Sequence, residues 1–360
     1  MSWGAARAAR SELADIKKRL WWWRARFYRW SAGFFSSGDR LSSAYYAFVN
    51  AAFRREHRGV LGGQARYHAR VKAVGGSSWV LRRNVHRLEK GIIMRPRRSV
   101  FARDYIEQTV QSYAALTGLS GDMSIDPGEL QWARDVLTEF FSITGPDPSL
   151  DRARARFTTI VSTQYQGTRM VPYAKSEAVK ASVSYEEFLK LCQQRRSVRW
   201  YQNRPVPREL IDQAIRAAAQ AASACNRQPF TFRVFDDPDL VQQVAAIPGG
   251  TAGFRQQFPA IVVIVGDLSA FFDERDRHLI YIDGSLAAMS FTLALETLGV
   301  SSCLINWPDT AGQDRLMARL LRLERWERVV MLCSVGYADP EGMIPFSQKK
   351  LLDTIRSYNA

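Results

Sequence analysis

Two short segments carry the side chains best suited to binding chemistry. Arg195-Arg196-Ser197-Val198-Arg199 crowds three guanidinium groups and a hydroxyl into five residues. Ala222-Ser223-Ala224-Cys225-Asn226-Arg227-Gln228-Pro229-Phe230 adds a hydroxyl, two carboxamides and an aromatic ring among small residues. Guanidinium forks grip phosphate bidentately and a serine adds a hydroxyl hydrogen bond. Taken alone, the first segment also fits a solvated basic helix end, which the helix dipole favours. The second segment, an unusual composition for a plain loop, shifts the reading to a phosphorylated planar heterocycle, specifically a flavin nucleotide. On that reading Arg199 sits near the pyrimidine edge, where a fixed cation stabilises the charge that develops on reduction.

The elements that must position these segments are legible downstream of residue 183. Ser184 and Glu187 form a capping box for a helix to about residue 194, and Pro207 opens another that runs to about residue 221. Strands follow at 231–235 and 260–265, the second an uninterrupted apolar run expected of a strand covered on both faces. An apolar helix at 284–298 ends at Gly299, and further strands lie at 302–305 and 329–335. This pattern predicts an α+β fold, one sheet between helical layers.

The first half has a different character. Residues 1–183 hold 30 Lys and Arg against 15 Asp and Glu, whereas residues 184–360 hold 20 against 20, so the whole net charge of +15 belongs to the first half. This contrast predicts two parts, a basic, mainly helical extension and linker at 1–183 and a second domain at 184–360. Any anionic partner belongs to the first part. Its densest stretch, Leu20-Trp21-Trp22-Trp23-Arg24-Ala25-Arg26-Phe27-Tyr28-Arg29-Trp30, suits an anionic membrane surface, stacking on single-stranded nucleic acid, or a covering or oligomer role. No nucleic-acid motif accompanies the charge. Further on, a helix is expected over 79–90, stopped by Gly91, with an extended basic loop to Pro96. Helices are expected from about Ala102 and over 127–143, and 145–183 reads as a linker or wrapping arm. His86 and Glu89, three apart, read as a structural pair, and no metal site is indicated.

Cys192, Cys225, Cys303 and Cys333 lie far apart without CxxC spacing, which points to a reducing compartment. No apolar run reaches the roughly 20 residues that span a bilayer, and the expectation is a cytoplasmic protein, at most peripheral to the inner membrane.

Residues from about 184 onward resemble the FMN-dependent nitroreductase family. The resemblance rests on the two segments above, which match RRSxRxF-like and PSSxNxQPWxF-like motifs. Further matches are Asp283-Gly284, Leu298-Gly299-Val300-Ser301-Ser302-Cys303-Leu304-Ile305, Ser334-Val335-Gly336-Tyr337 and Lys349-Lys350. Ala222 stands where the family has proline and Phe230 where it has tryptophan. After Ile305 the chain reads Asn306-Trp307-Pro308 in place of the Pro-x-Glu-Gly loop of better known members.

The resemblance implies a mixed or antiparallel sheet between helical layers and an obligate homodimer. It implies FMN held by Arg195, Arg196, Ser197 and Arg199, by Lys349 or Lys350 at the phosphate, and by Asn306 and Trp307 along the ring. Ser223, Ala224 and Asn226 would reach the flavin from the other protomer, and Gln228 also belongs to the implied cofactor-binding set. The implied function is an oxidoreductase in which NADH or NADPH reduces the flavin and a small-molecule acceptor (nitro compound, quinone or other) reoxidises it in a ping-pong cycle. No catalytic side chain is assigned. The alternatives are a flavin-dependent oxidase or dehydrogenase of a biosynthetic intermediate, and a non-catalytic scaffold. The second draws on the likeness of 86–98 to extensions in nitroreductase-like proteins of polysaccharide production.

Overall fold

The structure is a computed structural model and describes residues 19, 22–23, 26–27, 31–74, 77–118, 126–161 and 168–359. By contacts the chain divides into two compact units, Met1–His57 and Arg58–Ala360.

In the first unit a short helix, Asp39–Ala44, runs into a π-turn, Tyr45–Val49, held by aromatic packing of Tyr46 on Phe53 with ring centroids 4.3 Å apart. Of the aromatic stretch 20–30, Trp22, Trp23, Arg26 and Phe27 lie among the described residues, and the three rings are exposed. Arg24 and Arg29 lie outside them.

The second unit is organised by a four-stranded antiparallel sheet. Strands β1 (Phe230–Phe235), β2 (Ala260–Asp267), β3 (Ser301–Asn306) and β4 (Glu327–Gly336) are ordered β1-β2-β4-β3. Strand β2 is buried along nearly its whole length. Side chains alternate across a strand, so its apolar run divides between two faces. Ile261, Val263 and Val265 pack with Val241 and Val244 of helix Pro238–Ala246 and Met317 and Leu321 of helix Ala311–Leu321. Ala260, Val262 and Ile264 pack on the opposite face with Ile211 and Ala214 of helix Arg208–Ala218 and Phe291 and Leu295 of helix Leu279–Thr297. The expected sheet between helical layers is therefore present. The segment Glu274–Thr297 is long and apolar enough to cross a bilayer, and within it Ala287, Ala288, Phe291 and Leu295 are spent on the sheet.

The residues before the sheet are more structured than expected. They include helices α1 (Arg54–Val74), α2 (Ser78–Ile92), α3 (Ile106–Thr117), α4 (Pro127–Ile143) and α5 (Pro148–Ile160). Helices α2 to α5 share a core built entirely from residues 81–161, including Leu81, Leu88, Ile106, Leu137 and Phe140. Helix α5 corrects the reading of 145–183 as a linker. Asp147 caps it, Pro148 starts it, and Leu150, Ala153 and Phe157 bury its apolar stripe. The alternate arginines mask that stripe, and Arg152 pairs with Glu107 and Arg154 with Asp151. Pro207 is the cap before Arg208–Ala218 rather than its first residue, and that helix stops short of residue 221.

Gly91 does not stop α2, which continues through it to Ile92. A Cβ there would collide with the ring of Phe101, so the glycine permits a close approach and does not end the helix. Alanine is about 1 kcal/mol better than glycine in a helix, but overpacking costs about 1–3 kcal/mol. Gly91→Ala is therefore expected to lower stability in urea unfolding, whereas a glycine inside a helix with open space at its Cβ would give a gain.

Candidate functional site

Segment 195–199 leaves helix α6 (Tyr185–Gln194), whose start carries the expected Ser184–Glu187 capping box. It then runs beside β3. Ser197 forms a parallel bridge with Ser302, and the Val198 N–H donates to the Ser302 carbonyl at 3.1 Å. Val198 points into the core and its carbonyl accepts the Tyr201 hydroxyl at 2.8 Å. This anchoring leaves the flanking residues to the other face.

Arg199 stacks over Phe254 at 5.6 Å and lines a cleft of about 280 Å³ with Phe254, Cys303, Leu304, Ile305, Asn306 and Pro308. Arg195 carries a buried Nε without a hydrogen-bond partner. Glu296 lies near enough to feel its charge, but burial dominates there and pushes the Glu296 carboxyl up. Ser302 likewise buries a hydroxyl without a partner. A cation and a hydroxyl with unused hydrogen-bonding capacity, in a segment and a strand joined by the Ser197–Ser302 bridge, are suited to an anionic oxygen-rich ligand.

The thiols of β3 and β4 are electrostatically muted. Burial raises Cys303, partly offset by Arg199, Ser197 and Arg195. Cys333, wholly buried, is pushed up to about 12. Neither is a thiolate at neutral pH.

Residues 223–228 form a tight turn between helix Arg208–Ala218 and β1. Cys225, Asn226 and Gln228 all have left-handed backbone, with φ of 54°, 52° and 51°. Local bonds hold the turn from inside: the Gln228 N–H donates to Ser223 Oγ at 3.1 Å and its carboxamide to the Ala219 carbonyl at 2.8 Å. Asp283 accepts the Ala224 N–H at 3.0 Å, and burial raises its carboxyl. Asp283 thereby holds the start of the turn.

The other candidates separate. Asn306 is exposed at the end of β3, and the Trp307 indole donates to Asp314 at 2.9 Å. Arg196 is half-buried, while Lys349 and Lys350 are exposed in the C-terminal segment. Among the described residues no hydrogen bond or ion pair joins 195–199 to the 223–228 turn or to the two lysines. One chain thus brings together Arg195, Ser197, Arg199 and Asn306, and holds the other two groups apart.

Two residues escaped the sequence reading. Arg82 on α2 donates from Nε to the Asn226 carbonyl at 2.8 Å and from Nη2 to Gln228 Oε1 at 3.2 Å. Glu129 on α4 pairs with Arg82 Nη1 at 3.0 Å. Nothing in the local spacing of either distinguishes it from a surface charge. His86 and Glu89 form the expected structural pair at 3.5 Å, with Trp132 donating to Glu89. Among the described residues no group of three or more His, Cys, Asp or Glu is placed to hold a metal ion.

Comparison with known proteins matches the same half of the chain. The family model described as Nitroreductase family matches residues 192–252 and 248–337. Iodotyrosine deiodinase 1 of Pongo abelii is 30% identical over 211 residues, covering 51% of this chain and 71% of that protein. Iodotyrosine deiodinase of Haliscomenobacter hydrossis is 26% identical over 218 residues, covering 51% of this chain and 95% of its own length. Among solved structures, an FMN-dependent nitroreductase from Clostridium difficile aligns with a TM-score of 0.41 at 24% identity, over 48% of this chain and 99% of that one.

The burial pattern predicts which thiols react. With N-ethylmaleimide at pH 8, the half-buried Cys192 and Cys225 are expected to be modified first in the native protein. Cys333 should resist until unfolding. Peptide mapping by mass spectrometry checks this, and labelling of Cys333 as fast as Cys225 would contradict the packing of β4.

Proposed function

The C-terminal half of this chain belongs to the Nitroreductase family of oxidoreductases. From that premise we propose that the protein is an FMN-dependent oxidoreductase drawing electrons from NADH or NADPH. The observation that carries the cofactor is the buried, unpartnered Nε of Arg195 beside Ser197 and Arg199. These residues fit a phosphorylated flavin: a guanidinium and a hydroxyl for phosphate, and a second cation facing a cleft that β3 lines.

Bound FMN would supply two-electron transfer between a nicotinamide and an organic acceptor. The chain's own part is to bind and orient. Arg195, Arg196 and Ser197 hold the phosphate, with Lys349 or Lys350. Arg199 places a fixed positive charge where negative charge develops, which favours the reduced form. Asn306 and Pro308 border the cleft, and between them the Trp307–Asp314 bond keeps the indole in one orientation. Nitro compounds and quinones are the acceptors to assay first. The deiodinase relatives add iodinated phenols to that set.

A homodimer is part of the proposal. Helix Leu279–Thr297 exposes Ile282, Leu286 and Met289, a stripe at helical spacing, and α6 exposes Tyr185, Phe188 and Leu189. Met343, Phe346, Leu351 and Ile355 lie bare along the segment that carries the two lysines. Apolar surface of this extent suits a second copy of the chain, which would bring the 223–228 turn and the Arg195 cluster of different protomers into one site. The division into a basic first part, 1–183, and a flavin domain, 184–360, belongs to the same proposal.

The purified protein is expected to be yellow, to release FMN on denaturation and to bleach anaerobically with NADH or NADPH. Arg195→Gln should weaken FMN binding by about 10- to 100-fold, the range for losing a charge-assisted hydrogen bond. A colourless protein that cannot be reconstituted with FMN would overturn the reading.

Contact with an anionic membrane surface has its own support. Ile93 and Met94 are 59% and 60% exposed, and Lys90, Arg95, Arg97 and Arg98 surround them with no acidic residue between 90 and 103. Sedimentation with phosphatidylglycerol vesicles is expected to carry down the full chain and to lose the Ile93→Ser/Met94→Ser variant. Equal sedimentation of the two would remove this loop from the account.

A further inference from the structure

The turn 223–228 is conformationally expensive. Left-handed backbone is uncommon outside glycine, tolerated by asparagine, and disfavoured for cysteine and glutamine. Three such residues within four persist only where surrounding structure holds them. Part of that hold is local, through Ser223 and Ala219, and part comes from Asp283 downstream. The rest comes from 144 residues upstream.

Arg82 reaches out of α2 and spends two arms of its guanidinium on the turn, Nε on the Asn226 carbonyl and Nη2 on the Gln228 carboxamide. Its third nitrogen is held by Glu129, and Ser78 donates to the same carboxylate oxygen at 2.9 Å. Trp132 lies against the guanidinium at 5.5 Å. The pair is nearly sealed from water, with side chains 14% and 7% exposed. Arginine's planar fork loses little freedom on forming several bonds at once, and burial protects them from competition by solvent. Both anchors belong to the helices that share the 81–161 core, so the fork is braced by a packed body.

We propose that this helical body is a positioning element for the cofactor turn: Arg82, braced by Glu129, holds Asn226 and Gln228 in their left-handed conformation. Arg82 is a positioning residue, acting through the turn. The link to the cofactor rests on the flavin reading above, in which the turn contacts FMN. The clamp itself is a property of the chain alone. It gives residues 78–160 a task in the oxidoreductase half and accounts for a basic helix lying against that half.

Hydrogen–deuterium exchange on the full chain, without added FMN, separates the two. Arg82→Gln is expected to speed exchange in peptides covering 223–230 by about tenfold or more, while α4 peptides exchange as in the wild type. Glu129→Gln keeps the shape, removes the bracing charge, and should accelerate the same peptides to a smaller degree. Arg82→Lys keeps the charge without the fork and should not restore protection. Arg87→Gln, whose parent side chain bonds Asp104 instead, should leave the turn unchanged. Unchanged turn exchange in both the Arg82→Gln and Glu129→Gln proteins would overturn the clamp, whether or not the chain binds FMN. In FMN titrations, Arg82→Gln should raise the dissociation constant about tenfold. Faster turn exchange with wild-type affinity would overturn the link to the cofactor.

Discussion

Burial of β2 on both faces is the constraint from which the rest of this half follows. Each of Ile261, Val262, Val263 and Ile264 is fully buried, and each such side chain contributes about 1.5–3 kcal/mol when removed from water. A strand that apolar cannot be left with an open face, so helices must cover the sheet on both sides. With both faces occupied, polar residues can gather only along the edges and ends of the sheet. Edge strand β3 is where this happens, because segment 195–199 lies beside it and brings Arg195, Ser197 and Arg199 to Cys303 and Asn306.

The basic character of the first half takes on a different meaning once its partners are visible. Arg82, Arg87, Arg103, Arg134, Arg152, Arg154 and Arg169 each pair with a carboxylate of the same helical body or the segment that follows it. Two of these pairs, Arg82–Glu129 and Arg152–Glu107, fix one helix to another. Most of these pairs are exposed and individually weak. The Arg82–Glu129 pair differs because it is buried and ends on the 223–228 turn, where loss of either partner would strand a charge. Lys90, Arg95, Arg97 and Arg98 flank the exposed Ile93 and Met94 in a stretch without acidic residues.

Local signals were reliable wherever one physical rule decided the outcome. The capping box at Ser184 and the helix over 127–143 stand where expected, as do all four strands to within two residues. The failures came where two rules competed. Gly91 has the propensity of a helix stop, yet sits inside a helix because Phe101 occupies the space its side chain would need. Helix α5 was hidden because its alternate arginines mask a buried stripe of Leu150, Ala153 and Phe157. That Asp283 accepts the Ala224 amide, 59 residues away, is set by packing and not by any local spacing.

By itself the amino-acid order determined the family resemblance, the helical and strand content of the second half and the identity of the phosphate-binding candidates. These depend on residue type and short spacing, which a linear chain displays openly. Only the tertiary structure decided that Arg195 keeps an unpartnered nitrogen, that 145–183 contains a helix, and that Arg82 reaches Asn226. The physical reason is distance along the chain. Hydrogen bonds between residues 82 and 226 are set by how two packed bodies meet, and no local pattern encodes that meeting.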